Sequence, residues 1–561
     1  MTIEHDVPAT MRDGVVLRAD VYRPTTGGPW PVLLTRLPYG KNLPMLAALM
    51  DPVGKARRGF LVVVQDTRGR SASDGEWEPW TSEMDDGYDT VRWAAALPGS
   101  NGSVGMFGAS YFGNTQWMAA LAKPPELKAI SPMVTWSEPD DGLFARGGAQ
   151  ELGITVPWSL TQGVDTLMRR HADDRMALGQ ALMALVGDLD AIANTTYWEL
   201  PAGHHPVYER HGIAELGYER SRREPEWSAS CRVAGRQAEV DLPSLNTGGW
   251  YDIFCQGTLD NYAAARAAGR PAKLIMGPWS HTGNATGYLG DVNFGMAAST
   301  ELLGFRGRFA DQELGWFRQW LTPDAESPQP ELPPVLLFVM GTNQWREEQE
   351  WPLSRAVDTD LFLRAGDRLA FDAPEAGEEA DAFTYDPADP VPTVGGALLM
   401  SNEFPPGPLD QARVEARPDV LVYTTDPLTE DLEVTGRVRA HLTAATDAPT
   451  TDWVVRLCDV DPGGVSRNVV DGIVRAVATP GEFTEQVVDL WSTSHVFRAR
   501  HRLRVHVTSS SFPRWDRNLN TGEPSDQGTR SRPAHQSIAH DSARPSRIVL
   551  PVVPAPAKEQ A

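Results

Sequence analysis

An α/β fold is predicted here, built from a parallel sheet interrupted by a helical insert and followed by an all-β sandwich or jelly roll. Three observations point to it. Short apolar runs alternate with helix-like segments over residues 15–134 and again over 243–340, the spacing of a parallel sheet whose strands are covered on both faces. From about residue 144 to 238 this texture is lost: helix-like segments and stretches dense in Arg, Glu, His and Trp replace it, with no buried-strand pattern. Beyond about residue 353, long helical periods vanish and short alternating runs separated by Pro, Gly and Asp take over. At 561 residues the chain exceeds what one core can organise. The predicted divisions are 1–143 and 241–352 for the α/β unit, 144–240 for the helical cap and 353–561 for the β domain.

The elements follow in order. Residues 15–22 alternate as a strand, and 24–29 turn. Residues 31–37 (PVLLTRL) are a nearly all-apolar strand, closed by Pro38, Tyr39 and Gly40. A helical stretch over 45–57 leads to strand 60–65, a polar loop over 71–80, and an amphipathic helix over 85–96 stopped by Pro98 and Gly99. The next strand runs into VGMFGASYFGNT (104–115), then a helix over 116–122 and a strand over 128–134. Within the insert, 165–185 reads as a helix. The sheet resumes with strand 243–248, helix 256–268, strand 272–276, a long helix over 304–321, a proline-rich loop over 323–334 and a last strand over 335–340. In the β domain the strand candidates are 360–363, 420–423, 432–443, 452–459, 472–476, 485–490, 502–508 and 546–552, and the tail from 551 to 561 is expected to fray.

Composition excludes several classes. A net charge of −23 disfavours nucleic acid and anionic membranes as partners, since phosphates would be repelled. Three scattered cysteines, Cys231, Cys255 and Cys458, suggest neither a disulfide framework nor a zinc site. The first residues carry acids where a signal peptide needs basic and then apolar residues, and no run approaches the length of a membrane span, so a cytoplasmic protein is expected.

The stretch over 104–115 has the form of a nucleophile elbow, a strand-to-helix turn that exposes a serine hydroxyl, here Ser110. Its last glycine is displaced: Phe112 stands where G-x-S-x-G has glycine, and Gly113 follows. Taken alone this is more often an ordinary glycine-rich loop between strand and helix. A serine nucleophile needs a base, and elbow hydrolases place acid and then histidine after later strands. Of 12 histidines, only His281 sits just beyond a strand of the α/β unit. Asp252 follows the preceding strand; it could orient the imidazole or simply cap the helix over 256–268, and Asp260, inside that helix, is the weaker rival. The Tyr111 backbone N–H is the expected oxyanion donor, and Tyr39 is placed either to supply a second donor or to pack.

Taken together, RLPYGK (36–41), QDTRGRSASDGEW (65–77), SNGSVGMFGASYFGNTQWMAA (100–120), GGWYDIF (248–254) and GPWSH (277–281) resemble the cocaine esterase and X-Pro dipeptidyl-peptidase group of α/β-hydrolases, whose elbow is typically G-x-S-Y-x-G. SSSFPRWDRNLNTGE (509–523) extends the resemblance into the C-terminal domain. The resemblance implies an α/β-hydrolase domain with a helical cap and a C-terminal jelly roll, a cofactor-independent, metal-free serine hydrolase, and a small-molecule ester or amide as substrate. It implies Ser110 as nucleophile, His281 as base, Asp252 as its partner, and the Tyr39 hydroxyl and Tyr111 N–H as oxyanion hole. By motif position Phe254 would wall the acyl pocket, with Phe144 and Phe404 as looser members. Relatives that act on α-amino acid esters carry an acid soon after the triad acid; here Ile253, Phe254 and Cys255 follow Asp252, favouring an uncharged or aromatic acyl ester, although Glu138, Asp140 or Glu151, at and just before the start of the insert, could hold an ammonium. The alternatives are an amidase, acylase or X-Pro peptidase of the same group and, from another class, a non-catalytic carbohydrate-binding protein. Relatives can form homodimers partly through sheet edges.

Overall fold

The computed structural model describes residues 1–322 and 332–554. Most of the proline-rich loop, 323–331, and the end of the tail, 555–561, lie outside the described residues. The first sheet has ten strands. From edge to edge these are Thr2–Thr10, Val16–Arg23, Leu61–Asp66, Trp30–Leu37, Ser100–Ala109, Leu127–Met133, Ser244–Tyr251, Ala272–Ser280, Val335–Val339 and Gln344–Glu348. The central strands pair in parallel, from Leu61–Asp66 through to Val335–Val339. The expected parallel sheet is therefore mixed at its margins, because two antiparallel strands precede it and one closes it. Strand Thr2–Thr10 (TIEHDVPAT) escapes a hydrophobicity reading since it lies on the edge and is almost wholly exposed.

Burial explains why the central strands read so plainly. Every residue of Leu61–Asp66 and of Ser244–Tyr251 is buried, as helices cover both faces. Helix Phe309–Leu321 packs so closely that a Cβ on Gly105 would come within 2.5 Å of the Phe317 ring. The helix expected over 45–57 breaks at Asp51, whose left-handed backbone ends Pro44–Met50 and whose carboxylate caps Pro52–Arg57 through the Gly54 N–H. The insert's helix is likewise two, Leu152–Arg170 and Arg175–Asp190, with Asp174 capping the second. The insert also contains a short hairpin, Ala145–Arg146 with Ala149–Gln150.

The C-terminal part is all-β, a sandwich-like array of eleven strands around an apolar core that includes Tyr385, Trp453, Leu490, Val505 and Leu550. All eight expected strands are present, several of them longer, such as Leu432–Thr446 and Thr484–Phe497. Short Arg368–Ala370, Asp381–Tyr385 and Ala534–Ala539 are additional. Strand Thr484–Phe497 braces the first sheet: Met340 N–H donates to the Ser494 carbonyl, and Val496 N–H to that of Met340. Its Trp491 indole donates to Asp141 and lies under the Arg146 guanidinium, 3.6 Å from the ring centre.

Candidate active site

Four of the sequence-selected positions lie just past the C-terminal ends of parallel strands: Tyr39 after Trp30–Leu37, Ser110 after Ser100–Ala109, Asp252 after Ser244–Tyr251 and His281 after Ala272–Ser280. In a parallel sheet those ends share one edge, where ligands of α/β proteins bind. Ser110 has φ 58° and ψ −123°, a conformation that costs on the order of 1–3 kcal/mol and must be held by its surroundings. The hold is visible. Ser110 N–H donates to the Met133 carbonyl, while the Ser110 carbonyl accepts from Thr135 Oγ1 and from the Gly113 and Asn114 N–H groups.

The displaced glycine acquires a physical reason. A Cβ at Gly113 would sit 2.8 Å from Thr135 Cβ and 3.1 Å from the Met133 carbonyl oxygen, so the elbow helix and the neighbouring strand meet at this position. Phe112 instead turns its ring over Gly108, where a Cβ would be only 2.1 Å from Phe112 Cδ2. The bulky residue is accommodated because the glycine it needs lies four positions earlier, and the ring is 4% exposed, packed among Leu37, Phe107 and Trp279.

Asp252 is completely buried, and its Oδ1 lies 2.6 Å from His281 Nδ1. Asp260 instead accepts from Gln256 Nε2 at 2.7 Å. The Tyr39 hydroxyl accepts from the Trp158 indole N–H at 3.2 Å, and Ser110 lies close enough to influence its ionisation. Burial pushes the Tyr39 phenol up to about 12, against the opposing influence of Trp158 and Ser110, so it stays a neutral donor at physiological pH. Trp158 occupies an acceptor site of the phenol oxygen, which leaves the phenolic proton available to Ser110 or a bound substrate.

Tyr111 points its side chain away from this group. Its hydroxyl donates to buried Glu83 at 2.8 Å, and Glu83 in turn pairs with buried Arg36 at 2.8 Å. Burial raises the Glu83 carboxyl despite the opposing pull of Arg36. The Tyr111 ring stacks on Trp80 with centroids 4.2 Å apart, and Trp158 and Trp77 extend the stack. On the other side, Phe254 meets His281 edge to face at 5.4 Å and Trp136 at 5.1 Å, and Trp136 meets Trp80. Phe144 belongs to the same apolar cluster but stacks on Trp227, while Phe404 lies in a different cluster, against Tyr197. The sequence reading passed over Trp77, Trp80, Trp136 and Trp158. Two of them, in DGEWEPW, carried a signal: tryptophans in an otherwise polar loop need a partner to cover them.

The carboxylates that could have held an ammonium are engaged elsewhere. Glu138 pairs with Arg232 at 2.9 Å, Glu151 is buried against Trp515 and Arg514, and Asp140 faces Arg222 at 3.7 Å. Among the described residues no group of His, Cys, Asp and Glu is arranged to hold a metal ion, and no helix is long and apolar enough to cross a membrane.

Comparison with known proteins places this geometry in context. Residues 13–283 match the X-Pro dipeptidyl-peptidase (S15) family, and residues 330–549 match the X-Pro dipeptidyl-peptidase C-terminal non-catalytic domain. The chain is 35% identical to the cocaine esterase of Rhodococcus sp. (strain MB1 Bresler), over 98% of this chain and 99% of that protein. Among solved structures it is similar to an α-amino acid ester hydrolase (25% identity, TM-score 0.79, covering 98% of this chain and 96% of that one). An aminopeptidase from a marine sediment archaeon, Thaumarchaeota archaeon, shares the fold at 24% identity and TM-score 0.79, covering 99% and 96%.

Proposed function

The chain belongs to the cocaine esterase and X-Pro dipeptidyl-peptidase family of serine hydrolases, and from that premise we propose that it cleaves carboxylesters with an uncharged, aromatic or other apolar acyl group through an acyl-enzyme intermediate. One observation carries the reading: at the edge where the elbow exposes Ser110, a buried Asp252 carboxylate holds His281 Nδ1 at 2.6 Å, and the Tyr39 phenol, fixed by the Trp158 indole, lies beside Ser110.

In this mechanism the bond to Asp252 keeps the imidazole proton on Nδ1 and leaves Nε2 free to accept the Ser110 proton as Oγ attacks the ester carbonyl. The Tyr39 O–H and the Tyr111 N–H stabilise the oxyanion, and each such donor is worth about 10²–10³ in rate. His281 then protonates the leaving alcohol, and water repeats the cycle on the acyl-enzyme. Phe254, beside His281, and Trp158, beside Tyr39, give the acyl group aromatic neighbours backed by buried Trp80 and Trp136, and Glu138, Asp140 and Glu151 are each engaged elsewhere, so none favours an ammonium there.

The test is Ser110→Ala assayed with short p-nitrophenyl esters, with fluorophosphonate labelling of the parent enzyme. Hydrolysis should fall to background and labelling should occur only with Ser110 present; retention of most of the activity would sink the assignment. The family match with X-Pro dipeptidyl-peptidases supports a second reading, amide or Xaa-Pro cleavage. An ester panel run beside Xaa-Pro anilides and acyl amides separates the two.

A further inference from the structure

We infer that Arg70 is the positioning residue for the oxyanion hole, holding the Tyr39 phenol and the Trp158 indole in register with one another; the inference rests on the proposed role of Tyr39. Arg70 follows strand Leu61–Asp66 in the segment DTRGR, and it is 3% exposed. Its guanidinium is divided between two elements. Nε donates to the Pro38 carbonyl at 2.8 Å, the peptide oxygen immediately before Tyr39. Nη1 and Nη2 donate to the Gln162 carbonyl at 3.1 and 3.2 Å, and Nη2 also to Gln162 Oε1 at 2.9 Å.

Gln162 lies four residues, one turn, beyond Trp158 on helix Leu152–Arg170, so both are on one face of that helix. One rigid fork thus fastens both halves of the Trp158-to-Tyr39 hydrogen bond: the loop that carries the acceptor and the helix that carries the donor. The same guanidinium lies over the Trp77 ring at 4.7 Å, and Trp77 touches both Tyr111 and Trp158.

Packing alone does not account for a cation here. Desolvating a guanidinium is expensive, and an apolar side chain of similar length often serves stability as well or better. The nearest carboxylate, Asp165, is 3.6 Å away and partly exposed, and the other partners are neutral oxygens. What arginine supplies is planar, directional bonding to two separate backbone segments, which neither an apolar residue nor lysine reproduces. A displacement of the order of 1 Å at a catalytic group can cost about 10²-fold in rate.

A double-mutant cycle tests this. Arg70→Met should lower kcat for p-nitrophenyl esters by about 10- to 100-fold with KM little changed. Tyr39→Phe should lower it by about 10²–10³. Combined, the two should cost no more than about threefold beyond Tyr39→Phe alone, because Arg70 acts through the missing hydroxyl. Arg70→Lys should recover little. Equal losses from Arg70→Met in the two backgrounds, or no loss from either single change, would overturn the assignment. If Arg70→Met does not fold, Gln162→Leu, which removes only the Oε1 contact, is put through the same cycle with the same criterion. Ser110→Ala is measured alongside: if it stays active, the esterase mechanism falls, whereas an inactive Ser110→Ala with an additive cycle removes only the role of Arg70.

Discussion

Replacing Asp252 with asparagine probes the candidate site most directly, since its consequences follow from the geometry around one carboxylate. Oδ1 faces His281 Nδ1 at 2.6 Å, the group is fully buried, and among the described residues Oδ2 receives no hydrogen bond. Asparagine then has two orientations. With its NH₂ toward Nδ1, the imidazole must carry its proton on Nε2 and cannot accept one from Ser110. With its oxygen toward Nδ1, the working tautomer survives but the NH₂ occupies the position of Oδ2 without a partner, at a cost of about 1–3 kcal/mol. Either orientation removes the negative charge that stabilises the imidazolium formed in the transition state. Two unit charges about 4 Å apart attract by about 4 kcal/mol at an effective dielectric constant of 20. At 1.36 kcal/mol per decade this is about 10³ in kcat, and a contribution from the wrong tautomer moves the loss toward about 10⁴. Steady-state hydrolysis of a p-nitrophenyl ester and the rate of fluorophosphonate labelling should fall by the same factor, because both need Ser110 to lose its proton, while the melting temperature stays close to that of the parent. An Asp252→Asn enzyme retaining more than about a tenth of the parent kcat would refute the reasoning.

Three further outcomes follow from the packing and ionisation described above. Gly108→Ala places a methyl group 2.1 Å from Phe112 at φ +135° and should cost roughly 2–5 kcal/mol in chemical denaturation, whereas Gly269→Ala, also at positive φ but with no atom within 4 Å, should cost about 1 kcal/mol. Arg514→Met strands buried Asp471, which Arg514 contacts at 2.7 Å, and should lower stability by about 3 kcal/mol as read from urea midpoints; an unchanged midpoint would show that Arg456 and Arg146 suffice. Buried His205 donates from Nε2 to the Thr196 carbonyl and accepts the Val207 N–H on Nδ1, so the fold needs the neutral ring, and burial lowers its pKa below 6.5. Below pH 6.5 the unfolded chain takes up a proton that the folded chain refuses. Stability is therefore lost as pH falls from 6.5 toward the folded value, by up to about 1.4 kcal/mol per unit, and His205→Asn should flatten that slope.

Much of the architecture was legible in the sequence for a simple reason. Strands buried on both faces, such as Leu61–Asp66, carry a continuous apolar run (Leu61 to Val64 here), and the strands of the β domain alternate because one face meets its core. What escaped was structure stabilised without hydrophobic periodicity: the exposed edge strand Thr2–Thr10, the break at Asp51 and the two-helix form of the insert. The antiparallel margins of the sheet escaped for the same reason, since pairing direction leaves no mark on composition.

For the candidate site, the sequence by itself singled out Ser110, Asp252 and His281, in chain order, as the candidates for the proposed chemistry, because strand ends and turn residues mark where a parallel sheet delivers its side chains. Only the tertiary structure decided how those residues are supported. That Trp158 of the insert donates to Tyr39, that Tyr111 is moored to Glu83 and Arg36, that Arg70 joins Pro38 to Gln162, and that the ring of Phe112 lies over Gly108 are facts about segments up to 119 residues apart in the chain. Local pattern records which face of an element is apolar. It carries no term for which distant hydrogen-bond donor will meet a buried oxygen, because that pairing is settled by the packing of whole elements and by the high cost of leaving any such group unsatisfied.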